Sequence, residues 1–151
     1  MRVNIAYFLT PKNSVSYLYD DFTFRQGLEK MRRHGYSAIP VIARDGTYIG
    51  TVSEGDFLWR LLDAEDAQDG VFTKKTAEKL FVQDLLRDNT YTAVPITASI
   101  DHLLSLALNQ NFIPVVDDLG KFIGIVTRKD ILSRLSQSAE LASSPQLQRI
   151  V

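Results

Sequence analysis

The stretch Pro40-Val41-Ile42-Ala43-Arg44-Asp45-Gly46-Thr47-Tyr48-Ile49-Gly50-Thr51-Val52-Ser53-Glu54-Gly55-Asp56 aligns without a gap with Pro114-Val115-Val116-Asp117-Asp118-Leu119-Gly120-Lys121-Phe122-Ile123-Gly124-Ile125-Val126-Thr127-Arg128-Lys129-Asp130, at an offset of 74 and with 7 of 17 positions identical. Such a repeat makes each half of the chain a copy of one supersecondary unit, and every element assignment follows from it. With single-residue slips the match extends upstream, setting Phe8-Leu9 against Leu85-Leu86 and Tyr17-Leu18 against Ala93-Val94. The unit is roughly 60 residues long and is used twice.

Working outward from the aligned stretch, each half reads β-α-β-β-α. A short apolar segment (Val15 to Tyr19; Thr92 to Ile96) precedes a helical pattern with apolar residues at Phe24, Leu28 and Met31, or at Ile100, Leu103, Leu104 and Ala107. Arg32, Arg33, His34 and Gly35 then stop the first helix, with cations in the last turn and glycine at the C-cap. Two β-rich runs follow, Ala38 to Ile42 and Tyr48 to Val52 around Asp45-Gly46, repeated as Ile113 to Val116 and Phe122 to Val126 around Leu119-Gly120. A last helix opens at Ser53 or Thr127, with Phe57, Leu58, Leu61 and Leu62, or Ile131, Leu132 and Leu135, on its apolar face. The fold class is therefore α/β in the α+β sense. A three-stranded sheet with so few helices leaves one face uncovered, so the copies are expected to pack sheet to sheet around a shared core. The predicted organisation is one unit over 4–63, a polar linker over 64–79, a second unit over 80–137 and a Ser/Ala/Gln-rich tail over 138–151.

Composition narrows the class of protein. A chain of 151 residues with 45% hydrophobic and 23% charged residues can bury a core and should fold. Its net charge of -1 provides no basic field for a phosphate backbone, so no nucleic-acid partner is expected. The absence of cysteine removes disulfides and thiolate sites and suits a cytoplasmic location. The N-terminal apolar run Ile5 to Leu9 stops at Pro11 and Lys12, too short for a signal peptide or a membrane span.

Chemistry concentrates at the strand-to-helix junctions Gly50-Thr51-Val52-Ser53-Glu54-Gly55-Asp56 and Gly124-Ile125-Val126-Thr127-Arg128-Lys129-Asp130. A hydroxyl at the helix start and a carboxylate three residues later form a capping box that satisfies orphan amides. The same geometry exposes amides to an anion and sets a carboxylate where it can accept hydrogen bonds from a ribose diol. Cap and ligand site are compatible.

The doubled pattern Gly-apolar-apolar-Ser/Thr-x-x-Asp, following an apolar-Pro-Val strand and a glycine hairpin, resembles the signature of CBS (cystathionine β-synthase type) domains, and two copies resemble a stand-alone Bateman module. The resemblance spans residues 4 to 137. It implies adenosyl-ligand contacts for Ser53 and Asp56 and for Thr127 and Asp130, with Ile39 and Pro40, or Ile113 and Pro114, as walls around the base. The implied function is a ligand-sensing regulatory module for AMP, ADP, ATP, S-adenosylmethionine or cyclic di-AMP. It would work as a homodimer and signal to an effector protein that the sequence does not name. A ligand-free dimerisation or adaptor module is the alternative. No cofactor is obligatory in either case.

The two junctions differ in charge. Glu54 and Gly55 stand beside the first aspartate, whereas Arg128 and Lys129 stand beside the second, so the second cleft is expected to be the better phosphate site. No enzyme is expected: His34 sits at a helix end and His102 near a helix start, and neither has a nucleophile or metal-ligand spacing beside it. Trp59 reads as a core or dimer-contact aromatic.

Overall fold

The computed structural model describes residues 4–67, 78–87 and 91–142, with the backbone alone for 64–67 and 138–142. The first repeat contributes β2 (Leu18–Tyr19), α1 (Phe24–His34), β3 (Ala38–Ile42), β4 (Tyr48–Ser53) and α2 (Glu54–Ala67). The second contributes β5 (Val94–Pro95), α3 (Ile100–Ala107), β6 (Phe112–Val116), β7 (Phe122–Thr127) and α4 (Arg128–Ala142). The β-α-β-β-α order is present twice. The first strand of each repeat is shorter than its apolar segment, at two residues each. Helix α2 runs past the predicted start of the linker at 64 and α4 runs past the predicted start of the tail at 138. Residues 68–77 of the linker and 143–151 of the tail lie outside the described residues.

Helix α1 shows how the local code works. Thr23 caps it, its side chain accepting from Gln26 N while Gln26 Oε1 accepts from Thr23 N. Its end lies where the cations and glycine place it, with Gly35 at φ 68 and its N–H on the carbonyls of Met31 and Arg32. The apolar face is shifted from expectation: Leu28 is 41% exposed, and Gly27 is buried instead with Phe24 and Met31. A Cβ on Gly27 would stand 2.9 Å from Val82 Cγ2, so only glycine lets the helix approach that closely.

Strands β2, β3 and β4 form one sheet, with β2 parallel to β3 and β3 antiparallel to β4. The second sheet has four strands, β1-β7-β6-β5, because Thr10–Pro11 (β1) leaves the first repeat and pairs antiparallel with β7. The halves meet at their hairpins. Thr47 bridges to Lys121, Tyr48 N donates to Gly120 O at 3.1 Å, and Phe122 N donates to Gly46 O at 2.9 Å. The Tyr48 and Phe122 rings, which occupy equivalent positions, stack at 6.2 Å. Equivalent residues touching each other mark a local two-fold axis between the repeats.

The core is shared by exchange of segments. Ile5 and Phe8, on a 3-10 turn (Ile5–Phe8), are buried among Val94, Leu103, Ile113, Val115, Val126 and Ile131 of the second repeat. Val82 and Leu85, on the matching turn (Val82–Leu85), are buried among Leu18, Phe24, Met31, Ile39, Val41, Val52 and Phe57 of the first. Each traded side chain covers a sheet face that its own helices leave open, a burial worth about 1.5–3 kcal/mol for a large apolar residue.

Candidate functional site

Strand β7 ends at Thr127 and α4 begins one residue later, so the Thr127 hydroxyl lies at the helix entrance. Its Oγ1 accepts from Asp130 N at 3.0 Å. The Asp130 carboxylate turns toward the exchanged strand, where Oδ2 accepts from the Thr10 hydroxyl at 3.3 Å. Thr10 and Thr127 line a cavity of about 430 Å³ between the repeats. Its apolar wall is Val15, Ala38, Pro40, Phe112 and Ile125, and its polar groups are the hydroxyls of Thr10, Ser14, Ser16, Ser37 and Thr127 with the Asn111 amide. None of these side chains is ionised. The cavity thus presents an apolar slot, a ring of neutral donors and acceptors, and one carboxylate tied to two lining residues, a composition typical of a small-molecule pocket.

The equivalent junction in the first repeat is arranged differently. Asp56 Oδ2 accepts from Ser53 N at 2.8 Å and from Ser53 Oγ at 3.1 Å, while Ser53 Oγ accepts from Asp56 N at 3.3 Å. The box is closed on both sides. The other oxygen, Oδ1, pairs with Arg87 Nε at 3.3 Å, and Asp56 is only 8% exposed. Nearby Tyr48 sits deep enough that burial pushes its hydroxyl up to about 12; that hydroxyl shares a 2.7 Å hydrogen bond with Thr51 and donates to Tyr91 O at 3.2 Å.

The remaining residues singled out by sequence fall in several places. Pro40 lines the cavity beside Thr127 of the other repeat. Ile39 and Ile113 are fully buried in the two cores, because alternation along β3 and β6 turns them to the helix-covered face. Pro114, also buried, belongs by repeat equivalence to the Ser53 side. Arg128, the residue that the sequence suggests for a phosphate, donates from Nε to Ala107 O at 2.8 Å and from Nη2 to Gln110 O at 3.2 Å, closing the carbonyl end of α3, where a cation is favoured. With exposed Lys129 it lines a separate, open depression together with Asn111, Leu132, Ser133 and Ser136. Thr10, Arg87, Tyr91 and Gln110 escaped sequence reasoning. The upstream alignment does set Thr10 opposite Arg87, but nothing in it shows that these segments cross to the other repeat.

Among the described residues no helix is long and apolar enough to cross a membrane, and no group of three or more His, Asp and Glu could hold a metal ion. His34 stacks on Tyr36 at 5.7 Å, and His102 N is capped by Ser99.

Two α/β repeats related by a local two-fold, with a polar-rimmed cleft at a strand-to-helix junction between them, define a tandem-repeat module. The family is shown directly: the CBS domain model matches residues 9–63 and 82–137, and the chain belongs to that family. Two archaeal relatives, both described as uncharacterized proteins, are 28% identical. One, from Methanocaldococcus jannaschii, is matched over 78% of this chain and 84% of its own length. The other, from Methanopyrus kandleri, is matched over 68% of this chain, which spans about half (48%) of that relative. Among solved structures, CbpB in complex with c-di-AMP is similar with a TM-score of 0.79 and 21% identity over 89% of this chain and 85% of that one. CBSX2 in complex with AMP is similar with a TM-score of 0.71 and 26% identity over 90% and 98%.

Proposed function

We propose that this chain is a non-catalytic sensor that takes an adenosyl ligand in the cavity at Thr127 and Asp130 and passes the bound state to a partner protein. One observation carries the reading: Thr127 lines a cavity of about 430 Å³ built from both repeats, within the usual 300–1,000 Å³ of small-molecule sites, and Asp130 stands directly behind the lining, bonded to Thr10 and Thr127. Pro40, Ala38 and Ile125 offer an apolar slot for a base, and Asp130 offers an acceptor for the ribose diol. Two similar structures hold c-di-AMP and AMP, which supports the ligand class. Because the walls belong to both repeats, an occupant would change how the halves sit, and that is the form of signal such a module can send.

Dimerisation is part of the same reading. Leu58, Trp59 and Leu62 on α2 and Leu132 and Leu135 on α4 are all exposed, Trp59 by 54% and Leu132 by 64%. Apolar side chains presented on two helices favour an isologous contact with a second copy, located in the cytoplasm as the cysteine-free composition suits.

Equilibrium dialysis against AMP, ADP, ATP, S-adenosylmethionine and cyclic di-AMP tests the ligand, and light scattering at micromolar concentration tests the dimer. Binding that Asp130→Asn removes supports the sensor. A dimer that binds none of the five would instead make the protein an adaptor.

A further inference from the structure

The two clefts are related by the repeat, and sheet register fixes which residues correspond. Leu18 pairs with Val41 and Val94 with Val115, so Val15 corresponds to Tyr91 and Ser16 to Thr92. The hairpin offset makes Ala38 equivalent to Phe112 and Tyr36 to Gln110, and the exchanged turns make Thr10 equivalent to Arg87. At the open cleft this set is Val15, Ala38, Tyr36 and Thr10, all lining the cavity. At the other it is Tyr91, Phe112, Gln110 and Arg87.

The exchanges all act in one direction. Where the open cleft has Val15 near Ala38, the other has Tyr91 against Phe112, with ring centroids 4.8 Å apart at 39°. Phe112 also walls the open cavity, so it is the Tyr91 ring, laid against Phe112 from the Ser53 side, that takes up the slot a planar base would need there. Gln110, only 6% exposed, locks the segment: its Nε2 donates to Thr92 O at 3.1 Å and Phe112 O at 3.3 Å, and its Oε1 accepts from Thr92 N at 2.9 Å. Tyr48 holds the Tyr91 carbonyl from below. Arg87 takes the Asp56 oxygen that the capping box leaves over. That ion pair is half in water and weak by itself, so the rings exclude the base and Arg87 only occupies the carboxylate.

We propose that the Ser53–Asp56 cleft is stoppered by the chain's own Tyr91, Gln110 and Arg87, so that each chain takes one nucleotide, at Thr127 and Asp130. The stoichiometry rests on the nucleotide reading above; the stopper itself does not. Tyr91 and Gln110 are thus the residues that determine which cleft is used.

The chain has no cysteine, so single thiols report on each cleft without a ligand. Thr127→Cys and Ser53→Cys place a thiol at equivalent helix entrances, and labelling with Ellman's reagent should be about tenfold slower for S53C, because a thiol reacts only when it is reached by solvent. Adding Tyr91→Val, the open cleft's residue, should raise the S53C rate toward that of T127C. Arg87→Thr, the open cleft's residue at a half-exposed position, is the second variant and should give a smaller increase. Calorimetry with AMP as probe should give one site per chain, lost in Asp130→Asn, and a second, weaker site in Tyr91→Val. Two AMP per wild-type chain, or S53C labelling that is as fast as T127C or unmoved by Tyr91→Val, would overturn the stopper. A wild-type chain that takes none of AMP, ADP, ATP, S-adenosylmethionine and cyclic di-AMP would overturn the nucleotide reading, and the thiol rates would then decide the stopper alone.

Discussion

Asp56→Asn and Asp130→Asn make the same chemical change at equivalent positions, and the structure predicts opposite consequences. The Asp56 carboxylate is nearly enclosed and makes three contacts: Ser53 N at 2.8 Å, Ser53 Oγ at 3.1 Å and Arg87 Nε at 3.3 Å. An amide has one acceptor oxygen. If it keeps the cap, its NH2 must face the Arg87 guanidinium, donor against donor. Weakening a charge-assisted cap costs about 1 kcal/mol, and leaving the second contact repulsive costs about another. For a protein of this size about 2 kcal/mol lowers the melting temperature by roughly 4–8 °C. Asp130 makes one long side-chain bond, to a threonine hydroxyl that can rotate to another acceptor. Asp130→Asn should cost about 0.5 kcal/mol, a shift of roughly 1–2 °C. Affinity should follow the reverse order. Losing a charge-assisted bond to the ribose costs about 1–3 kcal/mol, so Asp130→Asn should weaken AMP about 5- to 150-fold, whereas Asp56→Asn leaves it within about twofold. Thermal denaturation without ligand and equilibrium dialysis with AMP, on the same preparations, measure both axes. If Asp56→Asn weakens AMP as much as Asp130→Asn does, or if the two melt alike, the division into a structural and a binding aspartate is refuted.

Gly124 has φ 155, and a Cβ there would collide with the Thr10 carbonyl on β1; the equivalent Gly50 faces only the Leu86 side chain, 3.0 Å away. Gly124→Ala should therefore destabilise by about 2 kcal/mol or more and displace Thr10 from the cavity, while Gly50→Ala costs about 1 or less, as read by urea denaturation. Tyr48, whose folded pKa of about 12 lies above the ordinary 10.0, contributes stability that is complete below pH 10 and lost as pH rises through 12. Tyr48→Phe should remove that part of the alkaline decline, on the order of 2 kcal/mol between these limits. Arg128→Ala should lower the melting temperature by unlatching α3, whereas Lys129→Ala should leave it unchanged and weaken AMP only if the phosphate reaches the α4 entrance, an effect that added salt would abolish.

Much of the architecture is legible in the sequence because it is set by short-range physics. The hairpins follow from Asp45-Gly46 and Leu119-Gly120, the end of α1 from Arg32 to Gly35, and the helix entrances from Ser53-x-x-Asp56 and Thr127-x-x-Asp130, each a local match between residue type and backbone conformation. Repetition of these signals at an offset of 74 establishes the tandem arrangement by itself. Tertiary structure alone decides the rest. The sequence aligns Phe8-Leu9 with Leu85-Leu86 but does not show which sheet each will cover, since burial has no direction until the repeats dock. That Arg128 also reaches the carbonyls at the end of α3 is decided only when the two segments pack together. Likewise Tyr91 against Phe112 and Val15 near Ala38 are unremarked pairs in a linear chain, more than 20 residues apart. Packing between segments distant in sequence lays Tyr91 against Phe112 and sets Val15 and Ala38 in the wall of a cavity, a difference that no local signal encodes.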